Sequence, residues 1–167
     1  MAAGQVSDAP KHGADGGLLY PSDYREWVFL SSGLGMTYGP AASPGNPRFD
    51  NVFVTRAAYK GFLQSGTWPE GTMFVLEIRS ATSEGSINKG GHFQTGLAAI
   101  EVEVKEKGVW TFYSFGSGDV AVGKAFGPKE SCYACHGTNG AVDNTFVQFY
   151  PTLLPIAKAK GTLKAAK

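Results

Sequence analysis

The segment Cys132-Tyr133-Ala134-Cys135-His136 constrains this chain more than any other feature of its sequence. Two thiols separated by two residues, with a histidine directly after the second, form the C-x-x-C-H pattern through which c-type haem is attached. The thiols add to the haem vinyl groups, and the histidine then lies under the iron as its axial ligand. Cys132 and Cys135 are the only cysteines in the 167 residues, so no third thiol competes for them. The pattern predicts one covalent haem c, attached through Cys132 and Cys135, with His136 as the iron ligand.

Three other interpretations of the motif are weaker. A thioredoxin-like C-x-x-C requires a βαβ context, which the surrounding sequence lacks. A zinc site requires four ligands, and the remaining histidines, His12 and His92, are remote from the motif. A plain disulfide would leave His136 without a role. Covalent haem attachment explains all three side chains together.

The length and charge of the chain argue against several classes of protein. A chain of 167 residues buries about 70% of the surface of its unfolded form, so it can fold as one domain without disulfides. The net charge is +1, without a basic stripe, which argues against nucleic-acid binding. No apolar run approaches the ~20 residues that cross a bilayer, so we expect no membrane insertion.

The two ends of the chain differ in composition from its middle. Residues 1–17 are polar and glycine-rich, which predicts a disordered segment, and they contain no apolar core of a signal peptide. We expect a single haem-binding domain over residues 18–160 and a solvated tail over 161–167. Because thiols are joined to haem outside the cytoplasm in the usual bacterial pathways, we expect a periplasmic protein whose leader has been removed.

The residue pattern predicts a β-rich α+β fold. Apolar and charged residues alternate with period two ahead of Gly108, which turns the chain into a second strand and so predicts a hairpin. One face of the first strand carries Ala98, Ile100, Val102 and Val104, and the other carries Ala99, Glu101, Glu103 and Lys105. Further strands are predicted at 27–30, 51–55 and 72–79, a short helix at 56–64, and partly helical structure at 146–160. We therefore expect an antiparallel sheet with a few short helices, with the haem docked on the sheet near the C-terminus.

Five segments of the chain resemble the cytochrome P-460 and cytochrome c′-beta family. They are L-Y-P-S-D-Y-R-E-W-V at 19–28, A-Y-K-G-F-L-Q-S-G-T-W-P-E-G-T at 58–72, W-T-F-Y at 110–113, C-Y-A-C-H at 132–136 and F-V-Q-F-Y-P at 146–151. The combination of D-Y-R-E-W and F-Y-P with a late C-x-x-C-H is specific. The resemblance implies a β-rich, periplasmic, homodimeric mono-haem protein. It also implies a five-coordinate iron bound by His136, with the opposite side open to small ligands.

Within this family the chain is more similar to the cytochrome c′-beta branch. Cytochrome P-460 proper carries a lysine bonded to the haem on the strand after a Gly-Thr pair, and Leu76 occupies the matching position here. Leucine has no nucleophilic nitrogen, so this cross-link cannot form there, and Lys60 and Lys89 lie outside the strand. Phenylalanines cap the iron in the c′-beta branch. Phe74 lies two residues before Leu76, on the same face of the strand, and is the predicted cap, with Phe49 as a second candidate. The alternative is that Phe74 and Leu76 are ordinary core residues, as apolar residues of strands usually are.

For the remaining candidates, an ordinary structural role is the leading interpretation. The distal arginine of cytochrome P-460 has no counterpart here, since Asp50 falls near its position, two residues from Arg48. Met73 neighbours Phe74 and should therefore point away from the iron. The candidates are His92, Met36 and Met73 for a sixth iron ligand, Arg48, Arg56 and Arg79 for the haem propionates, and Glu77, Asp119 and Glu130 for a proton acceptor.

Three functions follow as hypotheses. An apolar cap over a five-coordinate iron favours neutral diatomic ligands, so the first is binding, buffering or sensing of nitric oxide, with an unknown redox partner. The second is hydroxylamine oxidation, which needs the lysine cross-link. The third is periplasmic electron transfer, which needs a sixth protein ligand. The sequence leaves open whether the protein is an enzyme, with weak peroxidase or hydroxylamine or nitric oxide oxidoreductase activity.

Overall fold

The computed structural model describes residues 8–37 and 47–165. Its strands are β1 (Leu18–Leu19), β2 (Val28–Leu34), β3 (Arg48–Val54), β4 (Met73–Thr82), β5 (Phe93–Glu106), β6 (Val109–Ser114) and β7 (Val122–Gly123). The helices are α1 (Arg56–Ser65), α2 (Ser131–Asn139) and α3 (Leu154–Lys160), with short 3₁₀ turns at Tyr24–Glu26 and Val147–Phe149. Strands β2-β3-β4-β5-β6 form a five-stranded antiparallel sheet in that spatial order, and β1 pairs with β7. This architecture confirms the predicted β-rich fold with an antiparallel sheet and a few short helices.

The strands of the large sheet follow one another in the chain and in space. The predicted helix at 56–64 is α1, which ends at Gly66, whose φ of 76° suits a left-handed helix cap. The predicted hairpin is the pair β5 and β6, which Lys107 and Gly108 connect with φ values of 53° and 74°. Positive φ at both residues matches the right-handed twist of the flanking strands. Local sequence signals therefore account for the end of α1 and for the connection between β5 and β6.

Both faces of the large sheet are covered over part of their area, by different segments of the chain. On one face Met73 and Val75 of β4 pack with Tyr24 and Trp27, so we call it the N-terminal face. On the other face Phe74 packs into a second apolar cluster that includes residues of α1, α3 and the turn before α3. We call this second side the cavity face, because it also carries the candidate site. Alternation along β4 and β5 decides which residues belong to which face.

The ends of the described chain make specific contacts. Residues 8–17 lie within the segment whose composition predicts disorder, yet Nε2 of His12 is 3.0 Å from Oε2 of Glu106. In the predicted tail, the backbone N–H of Lys164 donates to the carbonyl of Ala141 at 2.7 Å. The predictions for residues 1–7 and 166–167 lie outside the described residues. Within the described ranges, no helix combines the length and the apolar character needed to span a membrane.

Candidate haem-binding site

A cavity of about 350 Å³ lies between the cavity face of the sheet and helix α2. This volume falls within the range of pockets that take small molecules and cofactors. The sheet contributes Asp50, Val52, Phe74, Leu76, Glu101 and Glu103 to its lining. The opposite wall contributes Cys132, Cys135, His136 and Phe146. The described lining is mainly apolar, with carboxyl groups on the sheet side.

Helix α2 carries the C-x-x-C-H motif into the wall of this cavity. Cys132 and Cys135 are three residues apart, a spacing that places two side chains on the same face of a helix. Both cysteines are partly buried and neither forms a disulfide. Burial raises the pKa of the Cys132 thiol, and the Glu101 carboxyl group adds to that rise. The two thiols thus face the cavity together, as attachment of one ligand through both would require.

His136 is held at the same wall by a backbone hydrogen bond. Its Nδ1 atom donates to the carbonyl oxygen of Asn144 at 2.9 Å, and because a carbonyl can only accept, the proton is on Nδ1. The rings of Phe112 and Phe146 flank the imidazole, with centroids 4.6 and 4.5 Å from its own. Burial lowers the pKa of His136, against the opposing effect of the Asn144 bond. This tautomer leaves the Nε2 lone pair free to coordinate a metal.

The loop after α2 fixes the position of the Asn144 carbonyl. Asp143 and Asn144 have φ values of 48° and 60°, a left-handed conformation that these residue types tolerate better than most. A Cβ atom at Gly140 would lie 2.5 Å from the backbone carbon of Asn144, so only glycine permits this approach. Thr145 is fully buried and accepts a hydrogen bond from the Trp68 indole at 2.8 Å. A tightly folded loop therefore supplies a backbone acceptor for His136.

On the sheet wall, Phe74 and Leu76 lie side by side on the cavity face of β4. Leu76 is opposite Val52 on β3 and Glu101 on β5. Phe74 is 2% exposed and packs against Trp68, with ring centroids 4.7 Å apart. The predicted placement of both side chains in one pocket wall is compatible with this geometry, and their role towards an iron stays a prediction. Phe74 is at the same time an integral part of the core.

Three carboxyl groups on the cavity wall were not among the predicted site residues. Burial raises the pKa of Asp50 and of Glu101, and Glu101 also raises that of Asp50. Burial, reinforced by Asp143, raises the pKa of Glu103 to about 8. The alternation along β5 assigned Glu101 and Glu103 to a charged face. The structure turns that charged face towards the cavity, where α2 covers it.

The structure places the remaining candidates as follows. Phe49 pairs with Leu34 on β2 and with Arg79 on β4. Its side chain lies on the face of β3 away from Asp50 and does not line the cavity. The interpretation of Phe49 as a second cap is therefore wrong. Met36 lines the cavity, and Met73 packs on the N-terminal face, as its position beside Phe74 predicts.

The predicted acid–base and propionate candidates lie elsewhere. Glu77 is on the N-terminal face, where it accepts hydrogen bonds from Tyr24, Arg25, Asn51 and Arg79. The lining of the cavity in the described ranges does not include Glu77, Asp119, Glu130, Arg48, Arg56, Arg79 or His92. Lys60 and Lys89 are likewise outside it, so no described lysine lines the cavity.

The residues present fit a covalently attached haem. Two unpaired thiols and an imidazole with a free Nε2 share one wall of an apolar cavity, which is the donor set that c-type haem requires.

Comparison with known proteins identifies the family. No curated protein matches the chain. The model of the family described as Cytochrome P460 matches residues 21–147, a range that holds the five-stranded sheet, both cysteines and His136. Because this match covers well over half of the 167 residues, the chain belongs to the cytochrome P460 family, whose members are haem-containing cytochromes.

Proposed function

We propose that the protein is a mono-haem c-type cytochrome of the c′-beta type that binds nitric oxide at a five-coordinate iron. The observation that carries this proposal is the position of Leu76. Leu76 lines the cavity on β4, between Val52 and Glu101, where a lysine would be needed to form the cross-link of cytochrome P-460 proper. An apolar side chain at this position leaves the haem unmodified.

In this proposal each group on the α2 wall has a distinct task. Cys132 and Cys135 anchor the haem through thioether bonds, and Nε2 of His136 binds the iron. The carbonyl of Asn144 orients the imidazole through Nδ1, at 2.9 Å. The haem supplies an iron with one coordination position left for a small ligand.

The opposite wall determines which ligands are favoured. Val52, Phe74 and Leu76 present apolar surface and no hydrogen-bond donor to the cavity. A polar ligand buried there without a donor is disfavoured by about 1–3 kcal/mol. Nitric oxide depends little on such a donor, whereas dioxygen gains much of its affinity from one. The apolar part of this wall, formed by Val52, Phe74 and Leu76, therefore supports selectivity for nitric oxide.

Hydroxylamine oxidation is the second candidate, and one observation favours it. That reaction needs a proton acceptor near the iron, and Asp50 and Glu101 bring carboxyl groups to the cavity. Burial raises the pKa of both, which brings them closer to the range useful for acid–base chemistry. The same cavity lacks a lysine among its described lining residues, so the proposed cross-link has no donor there.

Electron transfer is a third candidate and would require a sixth ligand. Met36 lines the cavity and is 36% exposed, so it is the described methionine best placed to serve. A sixth ligand would keep the iron low-spin in both oxidation states.

Three measurements test the proposal. Mass spectrometry after acid–acetone extraction should show the polypeptide retaining one haem in the wild type, and none in a variant with Cys132→Ala and Cys135→Ala. The absorption spectrum and a tryptic map then separate the three functions. A high-spin ferric spectrum that shifts on addition of nitric oxide supports the proposal. A haem-bound lysine in a tryptic map supports hydroxylamine oxidation, and a low-spin spectrum supports electron transfer. Either of the last two results contradicts the proposal.

A further inference from the structure

Glu103 is buried in the cavity wall beside the predicted iron ligand. Glu103 as a whole residue is only 7% exposed to solvent. Its Oε2 atom has no hydrogen-bond partner among the described residues. The same atom lies 3.2 Å from Nδ1 of His136. A buried carboxyl oxygen without a partner is unfavourable, so its position beside the imidazole needs a physical reason.

The surroundings of Glu103 offer little compensation other than the imidazole. Glu103 is opposite Phe74 on β4 and Phe112 on β6, and both neighbours are apolar. The carboxylate of Asp143 repels a negative charge on Glu103. Lys105 donates a hydrogen bond from Nζ to Oδ2 of Asp143 at 2.5 Å, so its charge is directed to that carboxylate. The polar hydrogen that Oε2 can reach is therefore the Nδ1–H of His136.

We infer that Glu103 is a positioning residue for the iron ligand, and that its Oε2 atom shares the Nδ1–H of His136 with the carbonyl of Asn144. The inference rests on the proposed function in one respect, the coordination of iron by Nε2 of His136. Acceptors on Nδ1–H fix the orientation of a metal-bound imidazole and raise the basicity of its other nitrogen. A more basic Nε2 forms a stronger bond to iron and stabilises the ferric state relative to the ferrous state.

The two acceptors on Nδ1–H, a backbone carbonyl and a side-chain carboxyl oxygen, have different roles. The Asn144 carbonyl is fixed by the backbone of its loop and sets the direction of the Nδ1–H bond. The Glu103 oxygen comes from the sheet and supplies a second acceptor lone pair at the same hydrogen. One oxygen from the sheet and one from the loop after α2 would thus both accept the Nδ1–H of His136.

The test compares haem-loaded Glu103→Gln with Glu101→Gln. Glu101 is the matched control, since it lies on the same strand and lines the same cavity, and no contact with His136 is found for it in the described ranges. Resonance Raman spectroscopy of the ferrous protein measures the iron–histidine stretching frequency, and spectroelectrochemistry measures the reduction potential. We expect Glu103→Gln to lower the stretching frequency and to make the potential more positive. Glu101→Gln should leave the stretching frequency unchanged, and Glu103→Asp, which keeps the carboxyl group, should fall between Glu103→Gln and the wild type.

The outcomes separate this inference from the proposed function. Equal frequencies and potentials in Glu103→Gln and the wild type overturn the inference, as does an equal frequency shift in Glu101→Gln. If Glu103→Gln does not retain haem, the iron–histidine stretching frequency of Glu103→Asp is compared with that of the wild type instead. Equal frequencies in these two proteins overturn the inference. A wild-type ferrous protein without an iron–histidine mode overturns both the ligand assignment and the inference. A normal mode in a protein that does not bind nitric oxide overturns the proposed function alone.

Discussion

Each face of the large sheet buries a glutamate, and the two faces stabilise that side chain in opposite ways. On the N-terminal face, Glu77 is 2% exposed and accepts hydrogen bonds from Tyr24, Asn51 and two arginines. Burial alone would raise its pKa, but these bonds hold the pKa of Glu77 below its usual value. On the cavity face, Glu103 has an oxygen without a hydrogen-bond partner in the described ranges, and its pKa is raised to about 8.

The contrast separates a structural carboxylate from carboxyl groups that are available for chemistry. Both carboxylate oxygens of Glu77 already accept hydrogen bonds from neighbouring side chains. Glu77 therefore stabilises the fold and is not available to bind a ligand. Burial raises the pKa of Asp50, Glu101 and Glu103 beside the cavity, and residues 8–37 and 47–165 offer these three carboxyl groups no set of donors like that around Glu77. Perturbed carboxyl groups of that second kind collect at functional sites.

The largest expected effect comes from two neighbouring residues of β4 that lie on opposite faces. Phe74→Ala should lower the free energy of unfolding by about 3–5 kcal/mol, and Met73→Ala by about 2–5 kcal/mol, because both side chains are buried. Only Phe74→Ala enlarges the cavity, so only this variant should bind nitric oxide faster and azide more tightly. Denaturant titration and stopped-flow binding measure the two effects. Unchanged ligand binding in Phe74→Ala would show that Phe74 is a core residue without a capping role.

A smaller effect is expected when the two buried glutamates are replaced in the same way. Glu77→Gln removes the charge from several hydrogen bonds, and a hydrogen bond to a charged group contributes about 1.5–3 kcal/mol to stability. Glu103→Gln breaks fewer bonds and should lower the free energy of unfolding by less. Denaturant titration of both haem-loaded variants measures the difference. An equal loss in the two variants would contradict the contrast between the faces.

The smallest expected effect is the dependence of stability on pH. The pKa of Glu77 is lowered, so its contribution is present above its unfolded pKa and is lost as the pH falls through its folded pKa. The pKa values of Asp50 and Glu101 are raised, so their contribution is present below their unfolded pKa values and is lost as the pH rises through their folded values. A variant with Asp50→Asn and Glu101→Gln should therefore lose less stability than the wild type as the pH rises from about 4.5, the ordinary value for glutamate.

Denaturant titration across this pH range measures the effect, with Glu77→Gln as the control. Glu77→Gln should instead flatten the loss of stability on the acid side. A double variant whose stability follows the wild-type curve would show that Asp50 and Glu101 are as well solvated in the folded state as in the unfolded state.

Local patterns predict the sheet well because they are set by neighbouring residues. The alternation before Gly108 predicts the hairpin β5–β6, and the residues of 56–64 predict α1 to within one residue. The attachment motif is likewise contiguous, so the sequence alone places Cys132, Cys135 and His136 together.

The site residues that the sequence missed depend on distant segments. Alternation assigned Glu103 to a charged face of β5, but it cannot say that α2 covers this face. The role of Asn144 comes from its backbone carbonyl, which any residue possesses, so its identity carries little signal. Phe49 was named as a second candidate cap without knowledge of the register of β3, which places Asp50 and not Phe49 towards the cavity. Such assignments require the pairing of strands and helices that only the folded chain supplies.

The close approach at Gly140 limits how this haem site can be transferred or redesigned. The five residues of the motif hold the thiols and the imidazole of the proposed attachment, but the hydrogen bond that orients His136 comes from Asn144, eight residues later. That carbonyl reaches the imidazole because Gly140 has no side chain and two successive residues adopt left-handed backbone conformations. The functional unit of this sequence is therefore the whole segment from Cys132 to Thr145. A graft of the motif alone onto another helix would transfer the two thiols and the imidazole without the acceptor that sets the orientation of the imidazole.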